Sequence, residues 1–203
     1  MSELFFTGSR EHALLARVID EAGKTRTKVY LGRTALQKVM YFLWVLGVPT
    51  RYAFAIHHFG PFCEDIGADM ELLIADQIVV DKAEPGQKHS NYAIANVVRA
   101  EQLQDRNRDF INRHSDTVST VVAVFGGLGP DDLDLYATLH YAFRYQQATL
   151  TSGAPPKADV IGRFKEYKGN KFPTARLDAA YDAMVKARLI ERKDAEAASA
   201  ANA

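Results

Sequence analysis

The stretch AIHHFGPFCEDIGADMELLIADQIVV, residues 55–80, decides the fold that this sequence predicts. It begins inside a strand predicted over residues 51–59, in which Tyr52, Phe54 and Ile56 alternate with smaller residues, and Gly60-Pro61 breaks that strand. Apolar side chains then recur at helical spacing and predict a helix over about 63–76. The closing IVV begins another strand, so the stretch predicts a strand, a corner, a helix and a strand.

Two amphipathic helices are predicted before this stretch, over about 10–22 and 34–46, and a β-hairpin is predicted after it. The hairpin strands, 78–84 and 91–97, are joined by PGQKHS, which is rich in turn-forming residues. The order of two helices, a short strand, a helix and a hairpin is typical of a winged-helix domain. We therefore expect a winged-helix-like unit over residues 1–98.

The rest of the chain is predicted to be a helical unit over 99–192, followed by a disordered tail over 193–203. Its last helix runs into YDAMVKARLIER much as the helix of the first unit runs into MELLIADQIVV. The C-terminal unit is therefore either a degenerate second helix-turn-helix, or a helical unit that only shares the common pattern of a helix running into a short Leu-Ile strand. The expected fold class is mainly α (α+β), with one small hairpin.

Composition excludes several classes of protein. The chain has 203 residues, 25 basic and 25 acidic side chains, and one cysteine. A balanced charge gives no overall field that favours nucleic acid or an anionic membrane, and one cysteine excludes an internal disulfide and a cysteine-rich zinc site. The N-terminus lacks the pattern of a signal peptide and no apolar run reaches 18 residues, so we expect a cytoplasmic protein without membrane contact.

A family resemblance rests on two short motifs in the right order. The first is Leu36-Gln37-Lys38 with Tyr41 on a helix, and the second is the corner His58-Phe59-Gly60-Pro61. With these motifs the chain resembles uncharacterised bacterial proteins of the YwgA-like type and, more distantly, the SocA-like antitoxin (Panacea) domain. The resemblance implies a small helical fold with a winged-helix-like half. For the Panacea branch it also implies an antitoxin or proteolytic-adaptor role through protein contact. Only Thr138-Leu139-His140 matches that branch's C-terminal motif.

The quoted stretch also contains residues that are typical of metal or catalytic sites. His57 and His58 are adjacent on a predicted strand and point to opposite faces, so one ion cannot easily bind both. Cys63 is followed by several acids, and we expect a buried small residue rather than a nucleophile. We interpret His58, Phe59, Gly60, Pro61 and Phe62 as a structural corner, in which the two aromatic rings pack on the core.

The charges of the N-terminal half are segregated. Residues 22–61 carry six bases and no acid, whereas residues 62–81 carry six acids and no base. The acidic helix excludes a standard DNA-recognition helix, because its charges would repel phosphate. The two segments either pair within the molecule or form a bipolar surface for a protein partner or for homo-oligomer formation. The candidate partner-binding residues are Arg26, Lys28, Arg33, Glu64, Asp65, Asp69 and Glu71.

A second basic region lies near the C-terminus, where residues 157–193 carry ten bases and five acids, with aromatic residues among them. Such a pattern is typical either of a nucleic-acid interface or of a solvated face. The candidate nucleic-acid-binding residues, with those of the hairpin wing, are Lys82, Lys88, Lys165, Lys168, Lys171 and Arg176.

The sequence contains no Gly-rich phosphate loop and none of the motifs GxSxG, HExxH and CxxC. We therefore expect no enzyme, no catalytic residue, no metal and no cofactor. The expected function is a non-catalytic, protein-binding regulator of the antitoxin or adaptor type, whose partner is a toxin or a regulated client. The alternative is a nucleic-acid-binding transcriptional regulator that uses the C-terminal basic face and the wing.

Overall fold

The computed structural model describes residues 6–24, 31–84, 86–87 and 89–190. Within these ranges the chain forms eight α-helices and two pairs of short strands. The elements are α1 Arg10–Lys24, α2 Arg33–Val45, β1 Ala55–His57, β2 Gly60–Phe62, α3 Glu64–Ala75, β3 Val79–Asp81, β4 Tyr92–Ile94, α4 Val97–Arg106, α5 Arg108–Phe125, α6 Pro130–Ala148, α7 Lys157–Lys168 and α8 Thr174–Lys186. The mainly helical class predicted from the sequence is confirmed. The predicted tail lies outside the described residues.

The strand predicted before Gly60-Pro61 is shorter than expected. Only 55–57 form β1, and His58-Phe59 turn the chain into β2, which includes Gly60 and Pro61. Gly60 has a φ of 85°, a conformation that a glycine adopts without steric cost and other residues rarely adopt. The Gly-Pro pair therefore lies in the second strand of a β-hairpin whose turn has two residues, and β1 ends before it.

The boundary between α4 and α5 also differs from the prediction. The apolar pattern predicts helices over 100–115 and 116–129, but the break falls at Asn107 and α5 runs on to Phe125. The Asn107 side chain donates hydrogen bonds to the backbone carbonyls of Leu103 and Gly8. The position of the break between the two helices therefore depends on the hydrogen bonds of one polar side chain. The periodicity of apolar residues does not detect such a break.

The structure divides into two compact units: the described residues of the first lie within 1–55 and 62–130, and those of the second lie within 56–61 and 131–203. In the first unit α1 packs against α3, α4, α5 and β4, and α2 also packs against α5. The rings of Phe42 and Phe125 stack at the α2–α5 contact, with centroids 3.8 Å apart. β3 and β4 form an antiparallel hairpin in which Val80 pairs with Ala93.

The second unit is built on α6, α7 and α8, which surround a core of buried apolar side chains that includes Leu139, Phe164 and Tyr181. Pro130 begins α6, and the aspartates of its first turn suit the positive end of the helix dipole. A division by packing does not show which segments fold alone, so the domain boundaries at residues 98 and 192 stay predictions.

A buried histidine should make the second unit acid-sensitive. His140 is almost fully buried and its Nε2 lies 3.2 Å from the carbonyl oxygen of Leu189. Burial lowers the pKa of His140 from 6.5 to about 4. Between these values the unfolded chain binds a proton that the folded chain excludes. The free energy of unfolding should therefore fall by about 3 kcal/mol from pH 6.5 to pH 4 and change no further through this group.

Hydrogen exchange of the α6 and α8 amides at several pH values measures this effect. His140→Gln keeps a donor for the Leu189 carbonyl and has no titrating group, so its protection should vary less with pH than that of the wild type. If the protection of these amides changes equally with pH in the two proteins, the pKa of His140 does not differ between the folded and the unfolded chain.

Candidate functional site

Five polar residues of the first unit form one hydrogen-bonded group, called here the Asp69 cluster: Glu11, His12, Arg51, Tyr52 and Asp69. Glu11 and His12 lie in the first turn of α1, and Asp69 lies on α3. Arg51 and Tyr52 belong to the segment between α2 and β1. Folding thus brings together charges from three separate segments of the chain.

Asp69 is the centre of the cluster and is only 4% exposed. Arg51 Nη2 donates to both of its carboxylate oxygens, at 2.5 and 2.6 Å, and the Tyr52 hydroxyl donates at 2.7 Å. Burial and the hydrogen bond to Asp69 raise the pKa of Tyr52, so its hydroxyl keeps its proton and stays a donor. Such a set of donors satisfies a buried carboxylate and holds it in one orientation.

His12 supplies another donor, and its tautomer follows from its neighbours. Its Nδ1 accepts hydrogen bonds from the backbone N–H groups of Gly8, at 3.1 Å, and Ser9, at 3.4 Å. The remaining nitrogen, Nε2, therefore carries the hydrogen and donates it to Asp69 Oδ1 at 3.2 Å. His12 thus links the start of α1 to α3.

Glu11 lies between two arginines. Its Oε1 accepts from Arg10 Nε at 3.1 Å and from the Arg51 backbone N–H at 3.2 Å, and its Oε2 accepts from Arg51 Nη1 at 3.3 Å. Burial raises the pKa of Glu11, but these hydrogen bonds outweigh burial and leave the pKa below its ordinary value. Glu11 is therefore ionised at neutral pH.

Arg51 of the cluster and Arg10 beside it are accessible to a ligand. The side chain of Arg10 is 48% exposed and that of Arg51 is 44% exposed, whereas both carboxylates beside them are buried. Half-exposed guanidinium groups bind phosphate oxygens with paired hydrogen bonds. The arrangement combines two half-exposed arginines with a buried, ionised carboxylate.

The second unit contains a separate ion-pair group around Asp134, called here the Asp134 cluster. Asp134 accepts hydrogen bonds from Lys168 and Lys171, each at 2.9 Å, and from the Thr138 hydroxyl at 3.1 Å. Burial raises the pKa of Asp134, but the two ammonium groups outweigh it and hold the pKa below its ordinary value. Lys168 also donates to the backbone carbonyl of His58 at 2.7 Å. This group ties α6, α7 and the β1–β2 turn together within the unit.

The structure places most of the predicted nucleic-acid-binding residues in polar contacts. Lys168 pairs with Asp134 and its side chain is 5% exposed. Lys171 pairs with Asp131 and Asp134, and Arg176 pairs with Asp132. These contacts neutralise part of the basic face.

The remaining members of that predicted set lie elsewhere. Lys165 donates to the Thr174 hydroxyl at 2.9 Å, and Lys82 is exposed beyond β3. Lys88 lies outside the described residues. Binding of nucleic acid by these residues stays a prediction.

The predicted partner-binding residues separate into buried and exposed positions. Arg33 is exposed at the start of α2, and Glu64, Asp65 and Glu71 are exposed on α3. Asp69, on the same helix, is buried in the Asp69 cluster. Arg26 and Lys28 lie outside the described residues. Partner binding by the exposed members stays a prediction.

Gln37, which belongs to the first motif of the family resemblance, contacts the backbone of Cys63. The buried Gln37 side chain donates to the Cys63 carbonyl and accepts from the Cys63 N–H, both at 2.9 Å. This reciprocal pair fixes α2 to the chain directly after the Gly60-Pro61 hairpin. Phe59 is 59% exposed, so it does not pack on the core as expected, whereas Phe62 is half-buried.

Two features are absent from the part of the chain that the structure describes. No group of three or more histidine, cysteine or acidic side chains there is placed to hold a metal ion. None of the eight helices is long and apolar enough to span a bilayer.

Sequence reasoning missed most of the Asp69 cluster. It counted Arg51 among the basic residues and Asp69 among the acidic ones, and it did not select Glu11, His12 or Tyr52. One available signal is the pair Glu11-His12 at a helix start, with an arginine before it. The network itself depends on tertiary contacts over up to 57 residues of sequence.

Comparison with protein-family models finds no match. A DNA ADP-ribosyl glycohydrolase of Thermus aquaticus (strain ATCC BAA-2747 / Y51MC23) is similar to this chain, with 26% identity over 168 residues, 77% of this chain and 41% of that protein. The chain therefore spans about two fifths of the length of the curated relative that it matches.

This similarity to an enzyme corrects the expected function. The prediction of a non-catalytic, protein-binding regulator of the antitoxin or adaptor type is wrong, as are the alternative of a transcriptional regulator and the prediction that the chain is no enzyme. Motif searches detect reaction types whose residues follow a fixed local spacing. The charged groups of the Asp69 cluster come from separated segments and form no such motif.

Proposed function

We propose that this chain takes part in the hydrolytic removal of ADP-ribosyl groups from DNA, with the Asp69 cluster as its reacting site. The observation that carries the proposal is the similarity to a DNA ADP-ribosyl glycohydrolase over 77% of the chain. The chemistry of the cluster supports it, because an ADP-ribosyl group offers an anionic diphosphate and a ribose carbon that becomes cationic during cleavage.

Arg10 and Arg51 are the proposed diphosphate ligands. Both side chains are half-exposed, and both guanidinium groups contact Glu11 in the free protein. A bound diphosphate would compete for their hydrogen bonds, since charge-assisted pairs of arginine with phosphate are strong. Glu11 would then lose the side-chain hydrogen bond from Arg10, which lowers its pKa, and keep the one from the Arg51 backbone N–H, so substrate binding raises the pKa of Glu11 and makes it a stronger base.

Glu11 is the proposed catalytic carboxylate. In hydrolysis a water oxygen bonds to the anomeric carbon, and the bond from that carbon to the DNA atom breaks. The DNA atom leaves with the electron pair and takes up one proton. An ionised carboxylate stabilises the cationic carbon and accepts the proton that the attacking water loses. Asp69 is a positioning residue, because it holds Arg51 and His12 in place.

Replacing Glu11 by glutamine should lower the rate of ADP-ribose release at least about 100-fold, the usual contribution of a general base. The substrate is a DNA oligonucleotide that carries one ADP-ribosyl group, and released ADP-ribose is measured by mass spectrometry. The matched control is Glu71→Gln, the same change at an exposed position on α3. Fluorescence of the single tryptophan, Trp44, reports whether each variant keeps the fold of the first unit.

A Glu11→Gln variant that is folded and releases ADP-ribose within twofold of the wild-type rate would remove Glu11 from the mechanism. Arg10→Gln gives a second check. It changes a half-exposed side chain, so the fold should hold, while the KM for the modified oligonucleotide should rise.

The winged-helix arrangement and the family relationship are part of the same proposal. The order α1, α2, α3, β3, β4 supports a winged-helix-like half. The hydrogen bonds between Gln37 and Cys63 support the YwgA-like and SocA-like resemblance, because they give Gln37 of its first motif a structural role.

A further inference from the structure

A phenylalanine ring of α5 lies next to Arg10, one of the two proposed diphosphate ligands. The Arg10 guanidinium carbon is 5.6 Å from the centroid of the Phe110 ring, which is within the usual range of a cation–π contact. The Nε of the same guanidinium group donates to Glu11 Oε1 at 3.1 Å. A single guanidinium group therefore separates the Phe110 ring from the proposed catalytic carboxylate.

Contacts within the first unit hold this ring in place. The helices α1 and α5 pack against each other, and Asn107, directly before α5, donates to the Gly8 carbonyl at 3.3 Å. The ring of His114, one helical turn after Phe110, is tilted by 60° to the Phe110 ring, with centroids 5.0 Å apart. Arg10 and Phe110 are thus already side by side in the free protein, and a ligand would need to order little.

The other proposed diphosphate ligand also faces an aromatic ring, but that ring is closed to a ligand. The Arg51 guanidinium carbon lies 5.6 Å from the centroid of the Tyr52 ring, and Tyr52 is only 2% exposed. Phe110 and His114 are half-buried, so part of each residue reaches solvent. Of these two contacts between an arginine and a ring, the one at Phe110 is therefore the one that can take a flat ligand.

A planar, uncharged ring that is joined to an anion suits this surface. The half-exposed Arg10 attracts phosphate, and nucleobases stack on aromatic rings and on guanidinium planes. Burial and the nearby Arg113 lower the pKa of His114 from 6.5, so its imidazole is uncharged at neutral pH and adds flat surface rather than charge. An ADP-ribosyl group joins such a ring, adenine, to a diphosphate.

We infer that Phe110, with Arg10 and His114, binds the adenine base of the ADP-ribosyl group. The inference rests on the proposed function for the identity of the ligand. Arg10 donates hydrogen bonds to the diphosphate, Phe110 stacks on the base, and Glu11 acts at the ribose carbon beyond the diphosphate. Phe110 is then a specificity-determining residue, because it favours an ADP-ribosyl group over a ribose phosphate that has no base.

Isothermal titration calorimetry with free ADP-ribose, the product of the proposed reaction, tests the inference. Phe110→Leu keeps an apolar side chain for packing but removes the π-face, so the Kd should rise about 5- to 100-fold, the effect of losing one stacked base. Phe110→Tyr keeps a flat ring and should bind ADP-ribose like the wild type. Trp44 fluorescence reports whether each variant keeps the fold of the first unit.

Inorganic pyrophosphate, which has no base, is the matched control ligand. Its affinity should be the same for the wild type and Phe110→Leu, whereas Arg10→Gln should weaken the binding of both ligands. An equal loss of affinity for pyrophosphate and ADP-ribose in Phe110→Leu would mean that Phe110 only positions Arg10, and would overturn the inference.

The inference would also fail if the wild type did not bind ADP-ribose, or if folded Phe110→Leu bound it as tightly as the wild type. The titration involves no bond cleavage, so its outcome is separate from that of the hydrolysis assay. A chain that binds ADP-ribose through Phe110 but releases none from DNA would keep the inference and lose the proposed function. Hydrolysis together with binding that does not depend on Phe110 would keep only the proposed function.

Discussion

Replacing Asp69 by alanine should lower the free energy of unfolding of the first unit by about 3–5 kcal/mol, the usual effect of removing one partner from a buried ion pair. The carboxylate accepts hydrogen bonds from Arg51, Tyr52 and His12. Arg51 is half-exposed and would regain water, but the Tyr52 hydroxyl and the His12 ring are buried. They would be left without this acceptor, which is costly.

Urea unfolding followed by Trp44 fluorescence measures this effect, because Trp44 belongs to the first unit. The matched control is Asp65→Ala, on the same helix at an exposed position, which should change the stability by less than about 0.5 kcal/mol. Equal midpoints for Asp69→Ala and Asp65→Ala would show that the Asp69 cluster does not stabilise the fold.

Replacing Asp134 by leucine should destabilise the second unit by about 3–5 kcal/mol, because Lys168 would keep a buried ammonium group without its counterion. The side chains of both residues are 5% exposed. Replacing Lys168 by methionine in the same protein should recover at least about 1 kcal/mol, since an apolar pair of similar size carries no buried charge. Lys171 is half-exposed and can be rehydrated in either variant.

Hydrogen exchange of the α6 and α7 amides measures this double-mutant cycle in the second unit. Asp132→Asn, which breaks the exposed pair with Arg176, is the control and should cost less than about 1 kcal/mol. If the variant with both Asp134→Leu and Lys168→Met is less stable than the variant with Asp134→Leu alone, the buried charge of Lys168 is not what destabilises the single variant.

The Asp134 cluster should also be sensitive to strong acid. The folded pKa of Asp134 lies below its ordinary value of 3.8. Its contribution to stability is therefore complete above pH 3.8 and is lost as the pH falls further, through the folded pKa. This window lies below the one of His140, so the two effects can be separated by pH.

The sequence predicted the helical class and the β3–β4 hairpin, because both depend on local patterns of apolar and turn-forming residues. The prediction from the sequence misplaced the α4–α5 boundary, because the hydrogen bonds of the Asn107 side chain set its position. It also missed the two-residue turn at His58-Phe59, because a Gly-Pro pair can equally end a strand or begin the next one.

The candidate sites were harder to predict than the fold. A run of acids on α3 reads as one solvated face, yet Asp69 is buried while Asp65 and Glu71 are exposed. The difference comes from Arg51, which lies 18 residues away in sequence. Similarly, the basic residues near the C-terminus form a positive run in sequence, and the aspartates that neutralise them lie on another helix.

The most direct test of the proposed function is a single-turnover assay of the wild-type chain, in excess over a DNA oligonucleotide that carries one ADP-ribosyl group. Mass spectrometry then follows the mass of the oligonucleotide and the appearance of free ADP-ribose. We predict conversion to the unmodified oligonucleotide with one equivalent of ADP-ribose, and a much slower conversion by Glu11→Gln. An oligonucleotide that keeps its ADP-ribosyl group in the presence of folded wild-type chain would contradict the proposal.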